Sequence, residues 1–350
     1  MDILVIKDLI PPFHSEKTSY IDSLTKCLDN YTAFVKNHTK TDNYIIAKIK
    51  DLNENILSAI SDIKNANTLN AYDRINKFIH DEFNNLDLPT YTLSLNKPLI
   101  RLRYSEEDLK YRKDIFHIPF SQRYNVSQQR YSIPGVPCLY LSGCAFTAWL
   151  ELNKPNFSNL WCAGYRANKD LNVLDCAIRL DSFLNEENNG GKLLFYPFVI
   201  STSFATKYPN KPFKEEYIIS NILLQSIQSL KKFDGIRYFS TKISNYNADY
   251  GWMASNIVLP ALPQEGEYDK HLSKSIYLTL PQPCSTLIHS PNIGDVSCMG
   301  TQMTETDNRN NTIEKGVSHF EPKIFEWYPA TQFFNIDGYL RDASYQKVED

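Results

Sequence analysis

The chain has 350 residues, enough for two domains or for one domain with a substantial extension. Apolar residues make up 42% and charged residues 22%, an ordinary globular composition that allows a sizeable core. With 37 basic against 40 acidic residues the formal charge is −3, which excludes a global field drawing the chain to nucleic acid or anionic lipid, so any anion site has to be local.

The opening stretch, MDILVIKDLIPPFHSEK, sets acids and a Pro pair within a short apolar run, and is expected to be neither a signal peptide nor a spanning helix. Residues 1 to about 95 read as a helical extension. Ile45, Ile46, Ile49, Leu52, Ile56, Leu57, Ile60 and Ile63 recur at three and four, a helical stripe, and Tyr72 to Phe83 repeats the pattern. Asn84-Asn85 and Pro89 are expected to close it. No glycine occurs before Gly135, so this part has few flexible breaks.

From Thr90 the texture turns β-rich. Strands are expected over Leu99–Tyr104, over Cys138–Ser142 after the Pro134-Gly135 turn, and over Leu171–Asp175, Leu193–Ser201, Gly235–Ser240 and Asn256–Leu259. Helices are expected over Ala145–Leu152 and Phe213–Leu230. The polar stretch 300–318 reads as a mobile loop. This mixture predicts an α+β fold, with residues 1–95 as the extension, 96–265 as the main domain and 266–350 as a second extension packed on the core. The seven cysteines include no CxxC pair and no nearby histidine group. They point to reduced thiols in a cytoplasmic protein, with neither a metal site nor a disulfide framework.

The segment Phe116 to Glu151 concentrates groups that suit an anionic, ring-bearing ligand. Arg130 precedes a tight turn, and guanidinium groups bind phosphate bidentately. Tyr140 offers a flat ring on the following strand. Glu151 ends the apolar helix AFTAWLE, where a carboxylate is partly desolvated. Upstream, Arg101 and Arg103 alternate with Leu102 and so share one strand face. Singly, each has a plainer reading: a surface ion pair for an arginine, core for a strand tyrosine, a solvated last-turn residue for the glutamate. His117 reads as a satisfied strand histidine more readily than as an acid–base group. Glu215 and Glu216 read as a charge effect at a helix start, with Tyr217 as a pocket-lining candidate. Arg74 and His80 loosely match the motif of HEPN ribonucleases, although plain helix surface is the better account.

Together, RYSIPGVPCLYLSGCAFTAWLE and the later pieces FYPFVISTSF, FKEEYIISNILLQSI, FDGIRYFST and NIVLP, in that order, resemble the RES domain family, named for its Arg, Glu and Ser residues. The resemblance covers about Leu99 to Pro260. It implies an ADP-ribosyltransferase-like mixed β-sheet core and an enzyme that consumes NAD by breaking the nicotinamide–ribose bond. Many members are bacterial toxins held by an Xre-type antitoxin, and some are described as protein ADP-ribosyltransferases. The family's catalytic residues fall on Glu151, Arg130, Tyr140 and Ser203, the last chosen over Ser201 and Thr202. NAD binding falls on Arg101, Arg103, Tyr131 and Ser132. Inorganic phosphate is a candidate co-substrate, to be held by Arg103 or Arg123. Neither a membrane nor direct nucleic-acid contact is implied, and a homo-oligomer is left open. A module that binds the nucleotide without cleaving it is the non-enzymatic alternative.

Overall fold

The computed structural model describes residues 6–15, 18–83, 86–95, 97–243, 248–263, 266–288, 325–326 and 328–348. The Asn84-Asn85 helix stop and the polar stretch 300–318 lie outside the described residues.

Helices α1 (Tyr20–His38), α2 (Asn43–Lys64) and α3 (Thr68–Glu82) form the N-terminal part. The side chains of Ser19 and Asp42 cap the first two by accepting from the amides of Asp22 and Tyr44. The periodic stripe Ile45, Ile49, Leu52, Ile56 and Ile60 is buried, as its spacing requires.

The strands are β1 (Thr90–Leu93), β2 (Leu99–Tyr104), β3 (Cys138–Ser142), β4 (Leu160–Ala167), β5 (Leu171–Asp175), β6 (Gly235–Phe239), β7 (Ser255–Pro260) and β8 (Ile276–Leu278). They lie in the order β1-β5-β6-β7-β3-β2-β4-β8, with Gln282–Pro283 also pairing β4. β5 and β6 are parallel and the remaining neighbours antiparallel, so the fold is α+β around a mixed sheet. The sheet is nearly divided between β3 and β2. β3 pairs β7 along its whole length, and β2 pairs β4 from Leu99 to Tyr104, but β2 and β3 meet only at Ile100 and Ser142.

Helices α1 to α3 do not stand apart from this sheet. Tyr31, Ile56 and Ile75 belong to the same buried cluster as Leu174, Tyr238 and Val258. β1, at the end of the N-terminal part, pairs β5 at the sheet edge. The opposite sheet face carries Leu139, Leu141, Tyr165, Ile257 and Leu259 in a second cluster. A third gathers Phe146 and Trp149 of α4 (Ala145–Glu151) with Phe333 and Leu340 of the C-terminal helix, Gln332–Asp342.

One expected strand is a helix. Leu193–Ser201 lies within α5 (Gly190–Thr202), which is buried almost all round. A continuous apolar run fits a buried strand and a buried helix equally, so periodicity could not separate them. Pro197 inside α5 withholds the amide that would bond the Leu193 carbonyl. The Tyr31 hydroxyl of α1 supplies that bond instead, at 2.7 Å. The later helix is also shorter than expected: α6 runs Ile218–Leu230, preceded by a 3-10 turn at Glu215–Tyr217. Glu215 pairs with Lys64 at 2.9 Å, and buried Glu216 accepts from the Lys207 amide. Neither acid starts the helix.

Candidate functional site

On the helix side of the sheet, alternation aims Tyr140 and Ser142 of β3, Asn256 of β7 and Tyr238 of β6 the same way, because Ser142 faces Asn256 and Asn256 faces Tyr238 across the ladders. α4 begins directly after β3. Gly143 makes that turn possible: a Cβ there would collide with the Trp252 carbonyl oxygen. The helix then delivers Glu151 beside Asn256. The Asn256 amide donates to Glu151 Oε1 at 2.8 Å, and its carbonyl oxygen accepts from the Ser142 hydroxyl at 2.6 Å. Asn256 is buried, so the carboxylate is held by a fixed partner. The Glu151 side chain still keeps 33% of its surface in solvent. Lys242 Nζ lies 4.0 Å from Glu151 Oε2 and donates to the Leu150 and Glu151 carbonyls and to Asn153 Oδ1. Burial lowers the Lys242 pKa, opposed by the Glu151 charge and assisted by Arg130.

Arg130 is buried and already bonded. Its guanidinium donates to the carbonyls of Thr202 at 2.7 Å and Phe204 at 2.9 Å and to the Thr241 hydroxyl at 3.1 Å, and it stacks over the Tyr217 ring. Thr202 ends α5, so a cation satisfies the carbonyls that a helix C-terminus leaves without partners. In this structure Arg130 ties the turn ahead of β3 to the end of α5 and to Thr241 just after β6, and does not present a free fork to phosphate.

Tyr131 and Ser132, expected to bind nucleotide, are inside the core, with Tyr131 packed on Tyr238 at 4.7 Å between centroids. Burial raises the phenol pKa of Tyr131, Tyr140 and Tyr238; for Tyr238 the Glu151 charge adds to it. The Tyr140 and Tyr131 hydroxyls are buried without a hydrogen bond of ordinary geometry among the described residues. Tyr140 as a whole residue is half-buried.

Among the three adjacent hydroxyls, Ser201 and Thr202 donate back to the Phe198 carbonyl. Ser203 is the residue after α5, also buried, under an N-terminal segment in which the Phe13 amide donates to the Ser203 carbonyl. The structure therefore brings Arg130, Tyr131, Tyr140 and Glu151 around Tyr238, with Ser203 on the α5 end that Arg130 caps.

Arg101 and Arg103 are elsewhere. Ile100 shares its face with Ser142, so the arginines on either side of Leu102 point to the opposite face, with Tyr165. There Arg101 donates to the Tyr140 carbonyl at 3.0 Å, in the gap between β2 and β3, and Arg103 donates to the Asp114 carbonyl. Burial lowers the Arg101 pKa. Arg123 is bonded to the Gly135 carbonyl at 2.8 Å. His117 is buried and satisfied on both nitrogens: Nδ1 lies 2.8 Å from the Ile118 carbonyl and Nε2 accepts from the Asp269 amide at 2.9 Å. On α3, Arg74 reaches Asp62 while His80 lies beside Asp81 with 66% of its side chain exposed. Six residues separate them, about 120° apart around the helix axis, so they do not converge on one scissile group.

Sequence reading missed Asn256, Tyr238 and Lys242 as site residues. The available signal was a polar side chain on the inward face of an otherwise apolar strand, as in NIVLP. Lys242 carried none, because it reaches Glu151 through a turn.

No helix among the described residues is long and apolar enough to cross a membrane. No protein-family model matches the chain, and no solved structure matches it. It is similar to a protein of Bacillus subtilis (strain 168) that bears the name "Putative toxin YopC": the two are 26% identical over 265 residues, covering 69% of this chain. The alignment takes in 58% of that protein's length.

Proposed function

We propose that the protein is a toxin-type enzyme with an ADP-ribosyltransferase-like core that cleaves the nicotinamide–ribose bond of NAD. The observation that carries the reading is Glu151: a partly exposed carboxylate, fixed by buried Asn256, beside a cluster of aromatic rings. The RES-like motif and the toxin named among its relatives point the same way.

Cleavage breaks the ribose C1–nitrogen bond, and both electrons leave with nicotinamide, which departs neutral. The ribose passes through an oxocarbenium-like state. Asn256 holds Oε1, which leaves Oε2 of Glu151 to face the developing positive charge. Tyr140 offers its ring for nicotinamide, and Ser203 a hydroxyl for the amide or ribose. Arg130 contributes by building the site. An oxygen of inorganic phosphate or water then bonds to C1, and a protein nucleophile in that place makes an ADP-ribosyltransferase. An Xre-type antitoxin is the partner that fits this reading.

The test is incubation of the full chain with NAD, with and without phosphate, and mass spectrometry of the products. Nicotinamide with ADP-ribose 1″-phosphate identifies a phosphorylase, nicotinamide with ADP-ribose a hydrolase. Glu151→Gln should slow NAD loss on the order of a hundred- to a thousand-fold at an unchanged melting temperature. Near-wild-type loss in that variant removes Glu151 from the chemistry. NAD that binds and stays intact leaves a nucleotide-binding module.

A further inference from the structure

α4 has seven residues, too few to be stable by its own hydrogen bonds. Its N-cap residue, Cys144, supplies no side-chain cap bond. The cap comes from 192 residues away. Asp337, on the C-terminal helix α7 (Gln332–Asp342), accepts the Ala145 amide on Oδ1 at 2.9 Å and the Tyr328 hydroxyl on Oδ2 at 2.6 Å. At the other end Lys242 Nζ donates to the Leu150 carbonyl at 2.8 Å and the Glu151 carbonyl at 3.0 Å. A carboxylate at the N-terminus and an ammonium at the C-terminus both follow the helix dipole. Between these anchors Phe333 of α7 packs on Phe146 and Trp149, each at 5.3 Å between centroids.

We propose that Asp337 is a positioning residue for Glu151: by capping α4 from the C-terminal helix it sets where the Glu151 carboxylate stands. This rests on the reading of Glu151 as the carboxylate of an NAD-cleaving site. In so short a helix, loss of the first turn moves the last one, and misplacement of a reacting group by about 1 Å costs on the order of a hundred-fold in rate.

The electrostatics fit a residue kept for positioning. Burial pushes the Asp337 carboxyl up to about 7, against the Tyr328 hydroxyl, the Ala145 amide and the Arg341 charge, which all favour the carboxylate. The other titratable groups facing it are the Cys144 and Cys162 thiols and the Tyr345 phenol, each raised by burial. A carboxyl with a raised folded pKa binds its proton more tightly in the folded chain than in the unfolded one. The stability it contributes therefore falls as pH rises from about 4 towards 7, and the ionised cap above 7 is retained at a cost in stability.

The experiment uses the full chain with Asp337→Ala and Asp337→Asn. It reads kcat and KM for NAD from pH 5.5 to 8.5 and amide exchange over residues 145–151. Asp337→Ala should lower kcat roughly ten- to a hundred-fold with KM for NAD little changed, and speed exchange at the start of α4. Asp337→Asn can still accept the Ala145 amide. It should keep most of kcat across this pH range and melt higher than wild type at pH 8. Wild-type kcat in Asp337→Ala overturns the proposal, and so does exchange unchanged from wild type. If the wild type consumes no NAD, the functional reading fails and the positioning role with it, while faster exchange in Asp337→Ala would still leave the cap as a structural contact.

Discussion

On the helix side of the sheet, Ser142 and Asn256 hold one carboxylate that still reaches solvent, with Tyr140 and Tyr238 on the same face. On the opposite side, Arg101, Arg103, His117 and Tyr165 are as polar, but they bond the Tyr140, Asp114, Ile118 and Ile115 carbonyls and, for His117, the Asp269 amide as well. The difference lies in what remains after the backbone has been satisfied. A buried polar group is retained when its partners are fixed, and a backbone carbonyl is as good a partner as a ligand. An arginine in a promising motif therefore counts by the donors it has left: Arg130 spends its guanidinium on three oxygens, whereas Arg101 gives one bond to the Tyr140 carbonyl and keeps a buried Nε without a hydrogen bond among the described residues.

Arg130 gives the sharpest test, since it sits on the functional side but behaves like the residues opposite. Arg130→Ala strands the Thr202 and Phe204 carbonyls, and should lower stability by roughly 3–5 kcal/mol in urea unfolding. A stable variant whose KM for NAD rises instead would return Arg130 to ligand binding. Arg101→Met should cost about 1–3 kcal/mol by leaving the Tyr140 carbonyl unpaired, with KM for NAD unchanged. A ten-fold rise in KM would mean that NAD reaches through the gap between β2 and β3. The smallest effect is expected at His117, whose pKa burial lowers from 6.5. The neutral ring favours the fold above that pH, and its contribution is lost as pH falls below about 6.5. The stability gap between wild type and His117→Asn should narrow from pH 8 to pH 5, and a constant gap would show that protonation of His117 is not opposed by the fold.

Much of the local structure was legible. The stripe from Ile45 to Ile60 marked a helix, and the alternation over Leu99–Tyr104 a strand. Pro134-Gly135 marked a turn in which Gly135 takes φ +81 and the Val136 amide bonds the Ile133 carbonyl. α5 was not legible, because Leu193 to Ile200 is apolar on every side and its Pro197 reads as a helix breaker unless Tyr31 is known to repair the broken bond. β4 also escaped, although it joins β2 to β8.

For the site, the sequence by itself determined that Glu151 closes an apolar helix after a strand, and that Arg101 and Arg103 share a face. Alternation has period two, so it places residues together but does not say on which side of the sheet they lie. Only the tertiary structure decided that, through the single β2–β3 contact at Ile100 and Ser142. Only the tertiary structure gave Glu151 its partners, Asn256 from β7 and Lys242 from beyond β6, and gave its helix a cap from Asp337. Local periodicity follows from the geometry of one element. Polar partners follow from which unsatisfied backbone and side-chain groups distant elements bring within about 3 Å of each other.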